Sequence, residues 1–452
     1  MRKFTPPKPK EPDMSIRTLK TKNILWLTLG TLVGAGLVSL SGVAADLTGY
    51  SIWLAYIVAV ILGFLASIPY FLASRALVLD GGMYTMNALL GHPIIGGLQM
   101  MSIFPGIIGQ STVALSIGLY LQVLVPSIPV RIAATLATLV IYYFNIKGID
   151  AINKIQEYMM YLLLGGLLLF SVYCFKNFNI EAINFSGPEF FKKGSSGFVM
   201  AVSLLSFSTQ SYSNVLSMSK FTENPKDSIY KGMVRCLPLL FLIYGGVTLA
   251  AVGAKDLNLF AGNTLGDVAK EIMPQGIFFV FMIACPLMAL LTTLNGNLAG
   301  LSMMAEPAAA DGWMPRLMTK KNKHNMPFII QTIFTVIIII PIALGLNIKF
   351  ITSNVVLLMN FINLTSFYSV YRMPKYFPEI FKNIPGNMTT SKFYILLTLG
   401  LIARLVLTYF SLISLSGLNL IINILVFAII VICAFVLYNS NKTSESIEYS
   451  VY

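Results

Sequence analysis

Long apolar runs, interrupted by clusters of Gly, Pro, Asn and charged residues, dominate this chain. Several runs free of Asp, Glu, Lys and Arg, such as 81–130 and 272–305, exceed the roughly 20 residues that a membrane-spanning helix needs. Divided at the clusters, the runs predict twelve helices, near 24–45, 51–75, 94–123, 127–145, 155–175, 196–218, 232–254, 276–305, 328–346, 351–371, 393–410 and 414–438. The pattern predicts an all-α polytopic membrane protein with 12 transmembrane helices.

Two of the predicted helices are interrupted near their centres. The first contains TLVGAGLVSL, residues 31–40, with two glycines, and the sixth contains SFSTQSYSNVLS, residues 206–217, rich in hydroxyl and amide side chains. The interruptions occupy corresponding places in two successive sets of five helices, 24–175 and 196–371. Paired interruptions of this kind indicate a transporter site built from two broken helices.

A broken helix exposes backbone groups that a ligand can satisfy. The first interruption should expose amides that accept a carboxylate, as helix starts accept anions, at Ala35, Gly36 and Leu37. The sixth should expose carbonyls that accept an ammonium, at Phe207, Ser208 and Gln210. Taken singly, the glycines are equally compatible with tight helix packing, and the serines with bonds to their own helical turns. The pairing favours a zwitterion site.

Composition supports the membrane assignment, and charge adds an orientation. Of 452 residues, 56% are hydrophobic and 11% charged, with a mean hydropathy of +0.77. The net charge of +13 concentrates on loops predicted to share one side with the N-terminus, which by the positive-inside rule places both termini in the cytoplasm. The predicted partners are therefore the bilayer of the cell membrane and a small molecule, not nucleic acid. The predicted divisions are a cytoplasmic arm at 1–23, five-helix units at 24–175 and 196–371, two helices within 393–438 and a cytoplasmic tail at 439–452.

Four segments resemble the amino acid-polyamine-organocation superfamily of secondary transporters, particularly its bacterial amino acid permeases. LVGAGLVSL resembles the family's first-span Gly-(Ser/Ala)-Gly segment, and LDGGMYTMNALLGHPIIGGL its Gly-Gly-x-Tyr segment. FSTQSY followed by TENPKDSIYKGM resembles the sixth-span aromatic and the Asn-Pro-x-x-x-Ile loop. LNGNLAGLSMMAEPAAADGWMP resembles the eighth-span stretch that ends in (Asp/Glu)-Gly-x-x-Pro. The resemblance implies a 5+5 inverted repeat with broken helices 1 and 6, two added C-terminal helices, and substrate between spans one, three, six, eight and ten.

The resemblance also implies roles for individual residues. It makes Gly34, Ala35 and Gly36 carboxylate-side contacts, and Phe207 the aromatic that closes over the substrate. It makes Ser208, Thr209, Gln210 and Ser211 the segment that faces the amine and the side chain, with Asn295 as an eighth-span neighbour. Many members have Gly-Gly where this chain has Gln210 and Ser211, which implies a smaller or more polar pocket.

The coupling ion is left open between Na⁺ and H⁺, and uniport and exchange also remain possible. The resemblance places Leu163 where sodium-independent relatives often have a lysine. Carbonyls near Val33, together with the hydroxyls of Thr292 and Thr293, would supply the oxygen ligands that suit a hard cation. The alternative is that both threonines bond to their own helix. No other cofactor is expected.

The substrate prediction rests on the rarity of charge inside the predicted spans. A charged substrate side chain needs an intramembrane counter-charge, whereas Arg75 and Glu306 lie near helix ends and Arg404 lies in span eleven. All three are expected to snorkel or to pair with loops. We therefore predict small or medium neutral amino acids, with Gln110 and Gln210 as partners for a polar side chain.

Other functional classes fit the sequence less well. His92 and His324 are the only histidines, and no catalytic or metal motif accompanies them, so an enzyme is not predicted. No repeated selectivity filter or ring of charge indicates a channel. The alternatives that remain are an amino-acid-sensing membrane receptor subunit on the same fold and an amino acid/amine exchanger.

Overall fold

The structure is a computed structural model that describes residues 17–440 except 35, 177, 256, 347, 414 and 416. Most of the arm, Ala35 and most of the tail therefore lie outside the described residues. The described chain is helical throughout, with isolated β-bridges only at Leu19–Thr222 and Asp80–Met218. This confirms the all-α prediction.

The principal α-helices follow the apolar runs closely. They are Thr21–Leu32, Ser41–Thr48, Ile52–Leu65, Ile68–Ala76, Pro93–Met101, Ile103–Leu124, Val130–Ile146, Ile149–Phe175, Gly194–Leu205, Pro225–Leu240, Val247–Gly253, Gln275–Met282, Met288–Ala310, Phe328–Leu344, Ile348–Tyr371, Thr390–Ile413 and Gly417–Asn439. Short helices at Met83–Met86, Leu257–Phe260, Leu265–Ile272, Met373–Tyr376 and Pro378–Lys382 connect them.

Seven helical stretches in the described residues are long and apolar enough to cross a membrane. They are Thr21–Ala76, Pro93–Leu124, Ile149–Phe175, Pro225–Gly253, Gln275–Ala310, Thr390–Ile413 and Gly417–Asn439. Shorter apolar helices lie at Val130–Ile146, Gly194–Leu205 and Phe328–Leu344. These stretches support a multi-pass membrane protein, and the count of twelve spans and the inverted repeat stay predictions.

Both predicted interruptions are visible in the backbone. The Thr21–Leu32 helix ends as the Val33 amide donates to the Leu29 carbonyl at 2.7 Å, because Val33 leaves the helical region with ψ of 87°. Helix resumes as a π-turn at Gly36–Leu40 and continues in Ser41–Thr48. The break is therefore only a few residues long.

The sixth predicted span changes from α-helix to 3₁₀-helix after Leu205. Its continuation is Ser206–Thr209 and then Ser211–Ser217. Three hydroxyls stabilise the tighter turn by donating to carbonyls three residues earlier: Ser206 to Ser203, Ser208 to Leu205 and Thr209 to Ser206. Serine-to-backbone bonds and a 3₁₀ interruption together account for this break.

The two broken elements lie in the middle of the helix packing. Thr21–Leu32 contacts Pro225–Leu240 and Met288–Ala310, and Gly194–Leu205 contacts Ile52–Leu65. Thr390–Ile413 packs against both Ile52–Leu65 and Ile348–Tyr371. The neighbouring helices therefore surround the space between the two breaks.

Loops predicted to face the cytoplasm meet at one end of the molecule. The Leu19 amide donates to the Phe221 carbonyl at 2.9 Å, and the Thr18 hydroxyl donates to Asp150 at 3.0 Å. Loops predicted for the opposite side also meet, since Lys192 and Lys193 both pair with Asp46. The loops therefore meet in the two groups that the sequence predicts, and which group faces the cytoplasm stays a prediction.

Candidate functional site

A cavity of about 130 Å³ lies between the two interruptions. It is bordered by the ends of the first break, the 206–217 segment and the helices Ile103–Leu124, Met288–Ala310 and Ile348–Tyr371. The residues that line it are Thr31, Leu32, Gly36, Met83, Gln99, Ser102, Ile103, Gly106, Gly109, Gln110, Val113, Ser208, Gln210, Ser211, Ser213, Asn214, Thr293, Asn297, Leu301, Met304, Val355, Val356, Met359 and Asn363. None of these described residues carries a formal charge.

Glycines allow the two interruptions to touch. A Cβ atom on Gly36 would lie 2.0 Å from the Cβ of Ser208, and one on Gly34 would lie 1.8 Å from the hydroxyl of Thr293. Both contacts are closer than any side chain could tolerate. Tight packing, which the sequence left as an alternative, is therefore present together with a cavity at Gly36.

Tyr244 joins the carbonyl ends of both breaks. Its hydroxyl is within hydrogen-bond distance of the Leu32 carbonyl at 2.6 Å and the Ser208 carbonyl at 3.1 Å. The ring is fully buried and stacks on Tyr56, with centroids 4.6 Å apart. Since one hydroxyl proton serves two acceptors, these carbonyls keep capacity to accept a further donor. Sequence reasoning missed Tyr244 because it lies in an otherwise ordinary apolar helix.

Three carboxamide side chains that line the cavity are hydrogen-bonded to one another in series. Asn214 donates to Asn297 at 2.6 Å, and Asn297 donates to Gln110 at 3.0 Å. Gln110 in turn donates to the Gly106 carbonyl at 3.4 Å. The chain fixes the orientation of these amides in the cavity wall.

Asn363 adds an acceptor to the same cavity. Its side chain is 8% exposed, and its Oδ1 atom has no hydrogen-bond partner among the described residues. A buried acceptor without a donor is costly, so a ligand that donates a hydrogen bond would be stabilised there. No motif or periodicity distinguishes Asn363 from the other polar residues of its helix.

The structure brings together some of the predicted site residues. Those that line the cavity are Gly36, Gln110, Ser208, Gln210 and Ser211, joined by Thr293 from the predicted ion site. The side chain of Phe207, like Ala35, lies outside the described residues.

Other predicted residues do not line the cavity. Gly34 and Leu37 are buried beside it, and the Thr209 hydroxyl donates to the Ala59 carbonyl at 3.0 Å. Asn295 is directed elsewhere, since it accepts from Asn145 at 2.9 Å and donates to Gln156 at 2.8 Å. On the same helix, the amide that lines the cavity is Asn297.

The predicted ion ligands are engaged with backbone carbonyls. Thr292 donates to the Ala289 carbonyl at 2.8 Å. Thr293 donates to Gly30, from the first helix, at 2.8 Å and to Ala289 at 3.0 Å. The hydroxyl oxygens retain lone pairs, so the ion site stays a prediction.

Arg404 does not snorkel, so that expectation was wrong. The residue is fully buried near the middle of Thr390–Ile413. One guanidinium nitrogen donates to the side-chain carbonyl oxygen of Gln210, which lines the cavity. An arginine at the centre of a predicted span was the available signal, because ionisable residues at that depth are functional candidates. Its contact with Gln210 depends on helix packing that the sequence does not reveal.

Two of the quoted sequence segments meet at the end where the cytoplasmic loops are predicted. The Tyr84 hydroxyl donates to Asp311 at 2.6 Å, which joins the Gly-Gly-x-Tyr and (Asp/Glu)-Gly-x-x-Pro segments. Asn224 adopts a left-handed conformation, with φ of 43°, immediately before the Pro225–Leu240 helix. The motifs therefore shape loops that join the helices bordering the cavity.

A charge cluster lies at the same end. Lys220 Nζ is 2.9 Å from Glu306 and 3.5 Å from Asp80, and Lys321 is 2.6 Å from Glu306. Burial opposes the charge on Lys220, but the carboxylates of Asp80 and Glu306 outweigh it and raise the pKa of Lys220 above its usual value. Lys220 therefore remains a cation that ties three segments together. Arg75 is likewise paired, 2.6 Å from Asp227.

Known proteins resemble the chain over most of its length. A family model described as amino acid permease matches residues 19–450. An uncharacterized amino acid permease of Bacillus subtilis, YvbW, is 24% identical over 331 residues, which cover 69% of this chain and 72% of that protein. The branched-chain amino acid permease BcaP of Lactococcus lactis is 22% identical over 338 residues, covering 69% and 72%. The histidine permease HisP of the same organism is 24% identical over 356 residues, covering 73% of each chain.

Proposed function

Because this chain belongs to the amino acid permease family, we propose that it is a secondary active transporter that moves neutral amino acids across the cytoplasmic membrane by alternating access. Membership makes it a multi-pass amino acid transport protein rather than an enzyme. The choice of neutral substrates and the mechanism are our proposal. The single observation that carries them is the uncharged, amide-lined cavity at the meeting point of two broken helices.

The zwitterion is proposed to bind across the two breaks. Backbone amides around Gly36 and Leu37 bind the carboxylate, since the resumed helix begins there and helix starts favour anions. Carbonyls of the 206–210 segment bind the ammonium. Ser208 lies against Gly36, so the two half-sites are adjacent, as the two charged ends of one amino acid require.

Size supports a small substrate. The volume of about 130 Å³ is close to that of the engineered cavity of about 150 Å³ that holds benzene. Alanine, serine and threonine are of that order of size. The names of the relatives include branched-chain amino acids and histidine, so relatives of similar identity differ in the substrate for which they are named. The lining of this cavity therefore carries the choice of substrate.

The side-chain end of the substrate is proposed to meet the amide wall. Gln110 and Asn297 are linked to each other at 3.0 Å, and Asn363 offers a free acceptor. Hydroxyl and amide side chains can donate to that acceptor, whereas a charged side chain finds no opposite charge among the lining residues.

Binding of each of the twenty amino acids to the purified protein tests this proposal. Thermal unfolding is recorded with and without sodium, because a ligand that binds only the folded state stabilises it by about 2.7 kcal/mol at 100 times its Kd. Serine, alanine and threonine should raise the unfolding temperature, and arginine and glutamate should leave it unchanged. Stabilisation by arginine or glutamate, without stabilisation by the small neutral amino acids, would contradict the proposal.

A further inference from the structure

Arg404 carries a buried charge that no ion pair among the described residues balances. Its side chain is fully buried, and arginine does not lose its proton in proteins. It donates to three neutral acceptors, namely the Gln210 side chain, the Asn360 side chain at 2.9 Å and the Ala66 carbonyl at 3.1 Å. Within the described part of the chain, no carboxylate lies within ion-pairing distance of it. A buried charge usually has an opposite charge nearby, so this arrangement is unusual.

The three acceptors place that charge beside the candidate site. Gln210 lines the cavity and follows the 3₁₀ turn Ser206–Thr209. Its side-chain nitrogen donates to the Ser206 hydroxyl at 3.3 Å, so both polar atoms of the Gln210 side chain are hydrogen-bonded. Only one side chain therefore separates the guanidinium from the cavity.

Asn360 is the second side-chain acceptor of the guanidinium. It contacts the same arginine nitrogen as Gln210 and donates to the Ser411 hydroxyl at 3.0 Å. It is fully buried and is not among the residues that line the cavity. The charge can therefore be balanced from Asn360 without altering the cavity wall.

We propose that Arg404 is a specificity-determining residue, whose unbalanced charge excludes cationic side chains from the cavity. This inference rests on the proposed transport function and assigns a cause to its discrimination against cationic side chains. For a like charge separated from the guanidinium by one intervening side chain, taken as about 7 Å, an effective dielectric constant of about 20 gives a penalty of roughly 50-fold in affinity. The carboxyl and amino groups are common to every amino acid, so the effect separates substrates by their side chains.

Norvaline and 2,4-diaminobutyrate provide a matched pair of ligands. They have side chains of the same length and shape, and a terminal ammonium in the second replaces a methyl group in the first. Competition against labelled serine in the full-length protein should give norvaline the lower inhibition constant by roughly 50-fold or more. Equal competition by the two compounds would overturn the inference.

Asn360→Asp tests the cause. The new carboxylate would lie against Arg404 and balance its charge. The ratio of the 2,4-diaminobutyrate inhibition constant to that of norvaline, which is the cationic penalty, should therefore fall about tenfold, while norvaline binding changes less than threefold. A purely structural role predicts no change in the ratio, because the added ion pair keeps Arg404 in place. Asn354→Asp, on the same helix but lining a separate apolar hollow, adds an equal charge and should leave the ratio unchanged.

Arg404→Met gives a second measurement and should reduce the penalty in the same direction. If the ratio of the 2,4-diaminobutyrate and norvaline inhibition constants stays constant in Asn360→Asp while norvaline binding is retained, the inference is overturned. This holds whether or not Arg404→Met folds. Failure of every amino acid to bind the wild-type protein overturns the proposed transport function and this inference with it. Binding of neutral and cationic ligands with equal affinity overturns only the inference.

Discussion

Gly36 and Ser208 lie so close that a Cβ atom on the glycine would be 2.0 Å from that of the serine. Two chain segments 172 positions apart in numbering (208 − 36) thus meet where each helix is interrupted. This contact packs the two segments together and also forms part of the cavity wall, since both residues line the cavity. The two interpretations of the glycines therefore describe one arrangement, and their energetic contributions are separable by mutation.

The first prediction concerns Gly36→Ala. The added methyl group overlaps Ser208, so we expect amino acid binding to weaken at least tenfold and the unfolding temperature to fall, as overpacking costs about 1–3 kcal/mol. Fluorescence-detected thermal unfolding and serine binding measure the two effects.

The double variant Gly36→Ala, Ser208→Gly separates them. It removes the overlapping side chain and should restore the unfolding temperature, while binding remains weak because the methyl group still narrows access to the backbone amides. Full recovery of both properties would show that Gly36 serves packing alone.

The second prediction concerns the side-chain end of the cavity. Asn363→Leu removes the buried acceptor, so serine affinity should fall about tenfold, within the range of about 1–3 kcal/mol for a buried hydrogen-bonding group left unsatisfied. Alanine affinity should change less than threefold, because alanine has no side-chain donor. Competition binding with both amino acids measures the difference.

Asn354→Leu is the matched control, since Asn354 belongs to the same helix and lines the apolar hollow instead. It should leave the serine-to-alanine ratio unchanged. An equal loss of serine and alanine affinity in Asn363→Leu would indicate a general structural role and contradict a side-chain subsite.

The third prediction concerns the charge cluster around Lys220. Lys220→Met removes the cation that Asp80 and Glu306 share and leaves Glu306 with Lys321 alone, and loss of one partner of a buried pair costs about 3–5 kcal/mol. We expect a lower unfolding temperature, measured in detergent. The Lys220→Met, Glu306→Gln double variant should recover part of that loss, because it also removes the negative charge of the buried Glu306.

The pH dependence of this effect follows from the raised pKa of Lys220. A lysine whose pKa is higher in the folded state gives its full stabilisation below the unfolded pKa and loses it only as pH rises through the folded value. The unfolded value is about 10.4, so the effect of Lys220→Met should be constant from about pH 6 to about pH 9. A difference that disappears within that range would contradict the assignment.

The fourth prediction concerns coupling. If Thr293 and backbone carbonyls near Val33 hold sodium, uptake should fall when choline or N-methylglucamine replaces sodium. Thr293→Val removes the hydroxyl that also donates to Gly30 and should abolish the sodium dependence of the remaining uptake. Unchanged uptake without sodium would exclude the ion site and leave proton coupling, uniport or exchange.

The sequence predicted a candidate site from the positions of its interruptions, and the structure brings those interruptions together beside a cavity. The rotation of each helix about its axis, which decides the residues that face the cavity, was harder to predict. Asn295 and Asn297 are two positions apart on one helix, and about 200° of rotation separates them. A motif comparison therefore selected Asn295, whereas Asn297 lines the cavity.

Arg404 and Tyr244 show a second limit. Each reaches the site through contacts with residues more than thirty positions away, Arg404 with Gln210 and Tyr244 with Ser208. Such contacts depend on which helices are neighbours, which apolar periodicity does not specify in a membrane protein. Their polarity within apolar helices was visible, but their partners were not.

Serine counterflow in proteoliposomes tests the central claim most directly. Vesicles loaded with unlabelled serine and diluted into labelled serine should accumulate label transiently, and external alanine or threonine should inhibit this while arginine or glutamate should not. Gly36→Ala should remove most of the signal. Binding of serine to the purified protein without any counterflow would contradict transport and would instead support a sensor that binds an amino acid without moving it.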